Sequence, residues 1–392
     1  MLKGKSILLG VTGSVAAYKA IELARRINDE GASVKVIMTE ASRRFVTPLS
    51  LELASGNPVF LDMFESPLSH VQLPAEADVF VVAPATADVM ARHAQGLADD
   101  LLTTALLAFK GTVIMAPAMN WRMWEHPAVQ QNLSRLIARG VATVGPERGT
   151  LACGEEGVGR MADPEALIES IRTALSRKDL QGERIVVTAG PTREPLDPVR
   201  YLSNRSSGRM GYAVATSAKR RGAEVILISG PVSLPPPRGV PVRAVETAAE
   251  MHEAVMAEAG HASVLVMCAA VADFRPSRKE ELKIDKAGGL SLEFAATQDI
   301  LADIGRRAER PFCVGFAAET GSSLERARRK LHEKRLDMIV FNDVTKAGSG
   351  FDVTTNEVVI MDRSGEHALP LMSKEDVAEH ILDRVQELRR KE

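Results

Sequence analysis

The sequence predicts an α/β protein built from two doubly wound, Rossmann-like parallel-sheet domains in series. Three observations predict it. Short β-branched apolar runs alternate with helical patterns from the start of the chain, as parallel βαβ units require. The alternation halts at the polar stretch Arg177-Lys178-Asp179-Leu180-Gln181-Gly182-Glu183 and then begins again. A length of 392 residues with 45% hydrophobic content is ample for more than one core. The expected domains are therefore 1–178 and 183–392.

In the first domain the apolar runs place strands at Ser6–Gly10, Ser33–Met38, Asp78–Ala83, Thr112–Ala116 and Ala142–Val144, with helical patterns between them. A closing helix is expected over Pro164–Ser176, with Pro164 in its first turn after Asp163. In the second domain strands are expected at Arg184–Thr188, Glu224–Ser229, Val264–Cys268, Cys313–Phe316, Met338–Phe341 and Glu357–Met361. Helices are expected over Gly211–Arg221, Ala248–Ala259, Gln298–Arg307, Leu324–Lys334 and Lys374–Arg390. In open sheets of this kind ligands sit beyond the carboxyl ends of the strands, where loops lead into helix N-termini.

Composition narrows the function classes. A net charge of -2 removes the broad basic field of a non-specific nucleic-acid binder. Cys153, Cys268 and Cys313 follow neither a disulfide nor a CxxC metal pattern, which suggests a reducing compartment. The N-terminal MLKGKSILLGVTGSVAAYK has a basic start and an apolar run, but Gly10, Thr12 and Gly13 interrupt it and the pattern continues into a helix. No window approaches membrane-spanning length, so a cytoplasmic protein is expected, with no nucleic-acid or membrane partner.

The loops after the predicted strands carry the chemistry. Gly10-Val11-Thr12-Gly13-Ser14 would let a phosphate approach free backbone N–H groups, although a simple tight turn would also favour Gly13. It is not GxGxxG, so an NAD reading with Glu40 as the ribose-binding acid is weak. Ala83-Pro84-Ala85-Thr86-Ala87-Asp88 and Ala116-Pro117-Ala118-Met119-Asn120-Trp121-Arg122-Met123-Trp124 both follow strands, and the second holds both tryptophans. Gly149–Met161 is glycine-rich and is expected to be a mobile flap, with Cys153 near its start. In the second domain, Thr188–Gly211 crowds three prolines, four arginines and two adjacent serines between a strand and a helix. Ser206, Ser207 and Gly208 stand at the helix start, where hydroxyls and N–H groups can hold phosphate oxygens. Cys268-Ala269-Ala270-Val271-Ala272-Asp273 ends a strand with small residues against which a base can lie. Read without context, Lys330 and Lys334 at i, i+4 describe a solvated helix face, His70 a surface histidine and Asn120 a cap.

These motifs carry a resemblance. Pro117-Ala118-Met119-Asn120 with Met123-Trp124, Ser69-His70-Val71, Ala85-Thr86-Ala87 and the Cys153 segment resemble the FMN-containing cysteine decarboxylases. "GPTREPLDPVRYLSNRSSGRMG", "CAAVADFRP" and "GFAAET" resemble the phosphopantothenoylcysteine synthetases. Together they resemble the family of bifunctional bacterial enzymes that join a phosphopantothenate–cysteine ligase to a phosphopantothenoylcysteine decarboxylase in coenzyme A biosynthesis.

For the first domain the resemblance implies FMN held by Gly13, Ser14, Thr39, Ala85 and Thr86. It implies oxidation of the substrate's cysteine thiol toward a thioaldehyde, after which CO2 leaves easily and an enethiol remains to be reduced. His70 would assist oxidative decarboxylation, Asn120 with Met119 would position the cysteinyl carboxylate, and Cys153 would supply the final proton. Asp88 stands where many relatives carry Asn. For the second domain the resemblance implies that CTP converts the carboxylate of 4'-phosphopantothenate into an acyl-cytidylate, which L-cysteine's amine then attacks. Arg200 and Asn204 would handle that intermediate, and Lys283 would aid its formation. Ser206, Ser207, Gly208, Ala269, Asp273, Gln298, Asp299, Ile300, Leu301, Phe316, Lys330 and Lys334 would contact CTP. Mg2+ is expected to neutralise the triphosphate, with Asp273 a candidate ligand. The resemblance also implies homo-oligomers, trimers of the first domain and dimers of the second, a combination that closes at a dodecamer.

Overall fold

The computed structural model describes residues 2–64, 68–152, 154–285, 291–321 and 323–390. The chain divides into two compact units, Met1–Ser176 and Arg177–Glu392.

In the first unit six strands form one parallel sheet: β1 Ser6–Val11, β2 Ser33–Met38, β3 Val59–Phe60, β4 Val79–Ala85, β5 Thr112–Pro117 and β6 Ala142–Thr143. Their spatial order is β3-β2-β1-β4-β5-β6, so the chain winds outward from β1 and then reverses at β4. The helices are α1 Tyr18–Asp29, α2 Pro48–Ser55, α3 Ser69–Glu76, α4 Ala87–Gln95, α5 Leu101–Ala108, the short α6 Trp121–Trp124, α7 Pro127–Ala138 and α8 Pro164–Leu175. The period-two geometry of β1 explains its unbroken apolar run. Ile7, Leu9 and Val11 pack with Leu23 and Ile27 of α1 and Ile171 of α8 on one face. Leu8 packs with Met90 of α4 and Leu102 of α5 on the other. A hairpin, β7 Glu147–Thr150 with β8 Glu156–Arg160, lies within the segment expected to be a flap.

The second unit holds β9 Arg184–Ala189, β10 Arg193–Pro195, β11 Tyr201–Ser203, α9 Arg209–Arg220, β12 Glu224–Ser229, β13 Val242–Ala244, α10 Ala248–Ala259 and β14 Val264–Met267. It continues with β15 Phe274–Pro276, β16 Phe294–Ala296, α11 Ile300–Gly305, β17 Phe312–Glu319, α12 Glu325–Glu333, β18 Met338–Asp343, β19 Thr355–Asp362, β20 Gly365–Ser373 and α13 Lys374–Arg389. The main sheet runs β13-β12-β9-β14-β17-β18-β19-β20, with the reversal between β9 and β14. β19 and β20 are antiparallel, so this sheet is mixed and not wholly parallel. They are joined by a turn at Arg363–Ser364, too short for the crossover that a parallel pair needs. The hairpins β10–β11 and β15–β16 stand apart from the main sheet.

The sides of this sheet are again read from one strand. Ile185 and Val187 of β9 pack with Val214 of α9 and Ile381 of α13, while Val186 faces Met251 of α10 and Ile304 of α11. Arg221, 1% exposed, joins the two ends of the unit. Its guanidinium donates to both carboxylate oxygens of Asp179 at 2.9 and 2.7 Å and to Asp383 of α13 at 2.7 Å. Arg389, the last residue of α13, pairs with Glu183 at 2.5 Å. Among the described residues no helix is long and apolar enough to cross a membrane.

Candidate active sites at two sheet reversals

In the first unit the loops after β1, β2, β4 and β5 meet at the carboxyl edge of the sheet, where the strand order reverses. Thr12 holds two of them together: its hydroxyl donates to the Pro84 carbonyl at 2.7 Å and accepts from the Thr86 N–H at 3.2 Å. Gly13 lies so close to the loop after β2 that a Cβ would come within 2.5 Å of the Ala41 Cβ. Thr39 donates its N–H to the Val11 carbonyl at 3.1 Å, and Ser14 caps the short turn Val15–Ala17. Ala85 is buried, and the Thr86 side chain caps α4. The Ala118 N–H reaches the Ala85 carbonyl at 3.0 Å, which sets Met119 and Asn120 beside this cluster. Asn120 caps α6, its Oδ1 accepting from the Arg122 N–H at 2.9 Å.

The β7–β8 hairpin is docked on α6. Trp121 Nε1 donates to Glu155 at 2.8 Å and Arg122 to the other Glu155 oxygen at 2.7 Å. Gly159 accepts the Met119 N–H at 3.1 Å, and a Cβ on Gly159 would lie 2.1 Å from the Met119 carbonyl oxygen. Of the glycines in the segment expected to be a flap, Gly157 and Gly159 are sites of close contact with Trp121 and Met119, whereas Gly154 has a positive φ and open space around it. Cys153 lies outside the described residues.

α3 precedes β4 in a crossover and runs antiparallel to the strands, so its first turn lies at the same carboxyl edge. There Ser69 Oγ and His70 Nδ1 are buried with no partner among the described residues. Buried polar atoms without partners are rare, and these two offer hydrogen bonds to a polar ring system or its substrate. With the Gly13–Ser14 turn at a strand-to-helix junction, the residues present fit a flavin mononucleotide. Glu40, weighed as a ribose acid, is exposed and pairs with Arg43 at 2.6 Å. Asp88 is exposed in the first turn of α4 and pairs with Arg92 at 2.9 Å.

The second reversal opens onto a cavity of about 660 Å³. Asn204, Ser206, Ser207 and Gly208 line it, as do Ala269 and Asp273, the run Gln298-Asp299-Ile300-Leu301, and Phe316, Lys330 and Lys334. Two threonines at the β9 edge fix the backbone of its lining: Thr188 Oγ1 accepts from the Ala269 N–H at 3.1 Å and Thr192 Oγ1 from the Ala272 N–H at 3.0 Å. A Cβ on Gly230 would stand 1.8 Å from the carbonyl oxygen of Pro191, which bridges to the lining residue Ala270, so a close backbone crossing lies beside this cavity as well. Asn204 Nδ2 donates to the Val271 carbonyl at 2.9 Å.

Lys330 and Lys334 do not form a solvated face. Lys330 donates to the Phe316 carbonyl at 2.8 Å, and burial together with Lys334 holds its ammonium below the usual lysine range. Lys334 pairs with Asp299 at 2.9 Å. Burial works against ionisation of Asp299, yet the Lys334 ammonium and the Ala302 N–H hold its carboxyl below the usual range. Cys268 also lines the cavity, and burial pushes its thiol well above the ordinary value.

Arg200 and Lys283 lie outside the described lining of this cavity. The reason is Asp197, whose carboxylate accepts the N–H groups of Val199, Arg200 and Ile284 at 2.7, 2.7 and 3.2 Å. It folds the Arg200 turn against Ile284, whose carbonyl accepts from the Arg200 guanidinium at 3.2 Å, and leaves Lys283 exposed. The cavity also includes Arg209, Asn342, Asn356 and Lys374, which the motifs did not indicate. One signal was available for Lys374: a cation as the first residue of a helix opposes the helix dipole. Among the described residues no group of three or more His, Cys, Asp and Glu is arranged to hold a metal ion.

Two reversal-point sites on separate cores define a two-site enzyme of the doubly wound nucleotide-binding class. Residues 1–176 match the model of the Flavoprotein family, and residues 180–388 match that of the DNA/pantothenate metabolism flavoprotein C-terminal domain. The chain is 46% identical over 394 residues to the Coenzyme A biosynthesis bifunctional protein CoaBC of Vibrio cholerae, covering 98% of this chain and 99% of that one. It is 45% identical over 394 residues to that of Escherichia coli (98% and 97%) and 44% over 398 residues to that of Bacillus subtilis (98% and 97%). The chain belongs to this family of bifunctional coenzyme A biosynthesis proteins. Solved structures similar to parts of it include the C-terminal domain of a CoaBC protein, at 41% identity over 54% of this chain and 98% of that one, with a TM-score of 0.48. Another is a cysteine variant of PPC decarboxylase complexed with pantothenoylaminoethenethiol, at 33% identity over 43% and 96%, with a TM-score of 0.39.

Proposed function

We propose that this enzyme ligates L-cysteine to 4'-phosphopantothenate with CTP and then decarboxylates 4'-phosphopantothenoylcysteine with FMN to give 4'-phosphopantetheine. The full-length likeness to the bifunctional family carries this reading. Residues 1–178 are the decarboxylase and 183–392 the ligase. FMN, bound by Gly13, Ser14, Thr39, Ala85 and Thr86, supplies a two-electron acceptor and donor.

The chain's own residues do the rest of the first reaction. Asn120, fixed by its cap on α6, and Met119 orient the cysteinyl carboxylate. His70, whose Nδ1 is buried with no partner among the described residues, assists removal of the substrate's proton during oxidative decarboxylation. Cys153 donates the proton that completes the product. The docked hairpin keeps water from the substrate while the carboxylate leaves.

In the ligase, Ser206, Ser207 and Gly208 hold phosphates at the start of α9. Ala269, Gln298, Ile300, Leu301 and Phe316 enclose the nucleotide, and Lys330 and Lys334 bring positive charge to it. Asp299 holds Lys334 in place. Arg200, Asn204 and Lys283 handle the acyl-cytidylate. Mg2+ enters with the triphosphate, and Asp273 is the carboxylate available to it, since Asp299 is engaged. Trimers of the first domain and dimers of the second would assemble a dodecamer in the cytoplasm.

The test is an assay of the purified protein with phosphopantothenate, cysteine, Mg2+ and each nucleoside triphosphate in turn, with released flavin measured after denaturation. Ligation with CTP and a bound FMN are expected. No flavin in any preparation, including one reconstituted with excess FMN, would remove the decarboxylase reading. Stepwise variants refine it: Cys153→Ser should accumulate the enethiol, Lys283→Gln should suppress acyl-cytidylate formation, and Asn204→Asp should slow its reaction with cysteine.

A further inference from the structure

One end of the ligase cavity holds a charge that none of these roles uses. Lys374, the first residue of α13, is 5% exposed, and its ammonium donates to the carbonyls of Gly350 at 2.9 Å and Phe351 at 3.3 Å. Among the described residues its hydrogen-bond partners are these two carbonyls and no carboxylate. The position is unfavourable for a cation in three ways. Burial strips its hydration. The first turn of a helix carries the positive end of the macrodipole. Arg209, at the start of α9, adds like charge, which Asp352 only partly counters.

Two side-chain amides share this end of the cavity. Asn356 is 2% exposed, and its Oδ1 is buried without a partner, as is the Oδ1 of Asn342 on the neighbouring strand. Neither side chain makes a hydrogen bond among the described residues, so each amide can turn its NH2 toward a ligand. Ser207 ties this end to the α9 start, because its hydroxyl donates to the same Phe351 carbonyl that Lys374 holds. A buried cation with no ion-pair partner among the described residues, two unused amides and a helix start lining one cavity are the recognition chemistry of a phosphate group.

We propose that Lys374, with Asn342 and Asn356, forms the subsite for the terminal phosphates of the nucleotide and holds them as departing pyrophosphate. The inference rests on the reading of this cavity as the CTP site. In the step concerned, a carboxylate oxygen of phosphopantothenate forms a bond to the α-phosphorus. The bond from that phosphorus to the bridging oxygen breaks, and its electron pair leaves on pyrophosphate. Lys374 stabilises the charge that gathers there, together with the metal ion that accompanies the nucleotide.

The experiment compares the affinities of CTP, CMP and inorganic pyrophosphate for the full-length protein and its Lys374→Gln and Lys374→Arg variants. Lys374→Gln should weaken CTP and pyrophosphate at least tenfold and leave CMP within about twofold, with partial recovery in Lys374→Arg. Unchanged CTP and pyrophosphate affinities would overturn the proposal. So would an equal loss for all three, which marks a structural role, or a rise confined to the phosphopantothenate KM, which would assign Lys374 to that substrate's phosphate. Should Lys374→Gln fail to fold, the near-isosteric Asn356→Asp is subject to the same comparison, since its added charge should repel pyrophosphate but not CMP. Absence of CTP binding by the wild-type protein would instead remove the underlying nucleotide reading.

Discussion

The two units solve the same topological problem with different chemistry. Each sheet reverses its strand order, and at each reversal threonine hydroxyls join the two central loops: Thr12 in the first unit, Thr188 and Thr192 in the second. Beyond that join they diverge. The first unit closes its edge with protein on protein, Gly159 against Met119 and Glu155 against Trp121 and Arg122. The second leaves an open cavity edged by Lys330, Lys334 and Lys374. An edge closed by protein on protein holds its occupant by shape, whereas an open cavity edged by lysines meets an anion by charge.

The comparison breaks most directly at its two close backbone crossings. Gly159→Ala forces a methyl group to 2.1 Å from the Met119 carbonyl, and Gly230→Ala forces one to 1.8 Å from that of Pro191. Overpacking of this kind costs roughly 1–3 kcal/mol and displaces the loop involved. Gly159→Ala should lower decarboxylation by about 100-fold and leave ligation within about twofold, and Gly230→Ala should do the reverse. Both activities measured on one preparation decide it, and loss of both in either variant would mean that the sites are not independent.

A smaller effect tests whether charge governs the second cavity. Lys330→Met should raise the KM for CTP roughly 10- to 100-fold, the range expected for losing one hydrogen bond from a charged donor. An unchanged KM would reduce Lys330 to a structural tie on the Phe316 carbonyl with no part in nucleotide binding.

The pH dependence of stability is a finer probe. Burial, and then Arg209, push Lys374 down to about 8. Its folded pKa is therefore below its unfolded one, and between the two the unfolded chain binds more protons. The destabilisation is fully present below about pH 8 and is relieved as pH rises toward the ordinary lysine value of about 10.4. Without nucleotide, the denaturation midpoint of wild type should gain on that of Lys374→Met between pH 7 and 9.5. A constant difference would contradict this.

The smallest effect is expected at Asp88, whose exposed carboxylate meets only Arg92 among the described residues. Asp88→Asn should shift stability by no more than about 0.5 kcal/mol and leave flavin content unchanged.

What could be read from the sequence follows from what carries a one-dimensional signal. Ile185-Val186-Val187 announces a strand buried on both faces, and the structure covers both. The three-residue strands β10, β11, β15 and β16 carry no such run, because their pairing depends on loops that meet only after the sheet forms. β20, Gly-Glu-His-Ala-Leu-Pro-Leu-Met-Ser, reads as irregular on account of Pro370, which an edge strand tolerates. The site was legible where small residues and hydroxyls follow a strand, as at Ala85-Thr86 and Ser206-Ser207-Gly208. Lys374, Asn342 and Asn356 come from late strands and a helix start, and only the fold brings them to one cavity.

Arg221 bears on how such a protein could arise. By gripping Asp179 and Asp383 it holds the entry and exit of the second unit side by side. A module whose ends are neighbours can be spliced after another gene, cut free, or re-opened elsewhere along its loop without rethreading its sheet. A circular permutant that joins 390 to 179 through a short glycine linker and opens at the β19–β20 turn should therefore still fold, and the fusion of two catalysts into one chain needed only a place to attach.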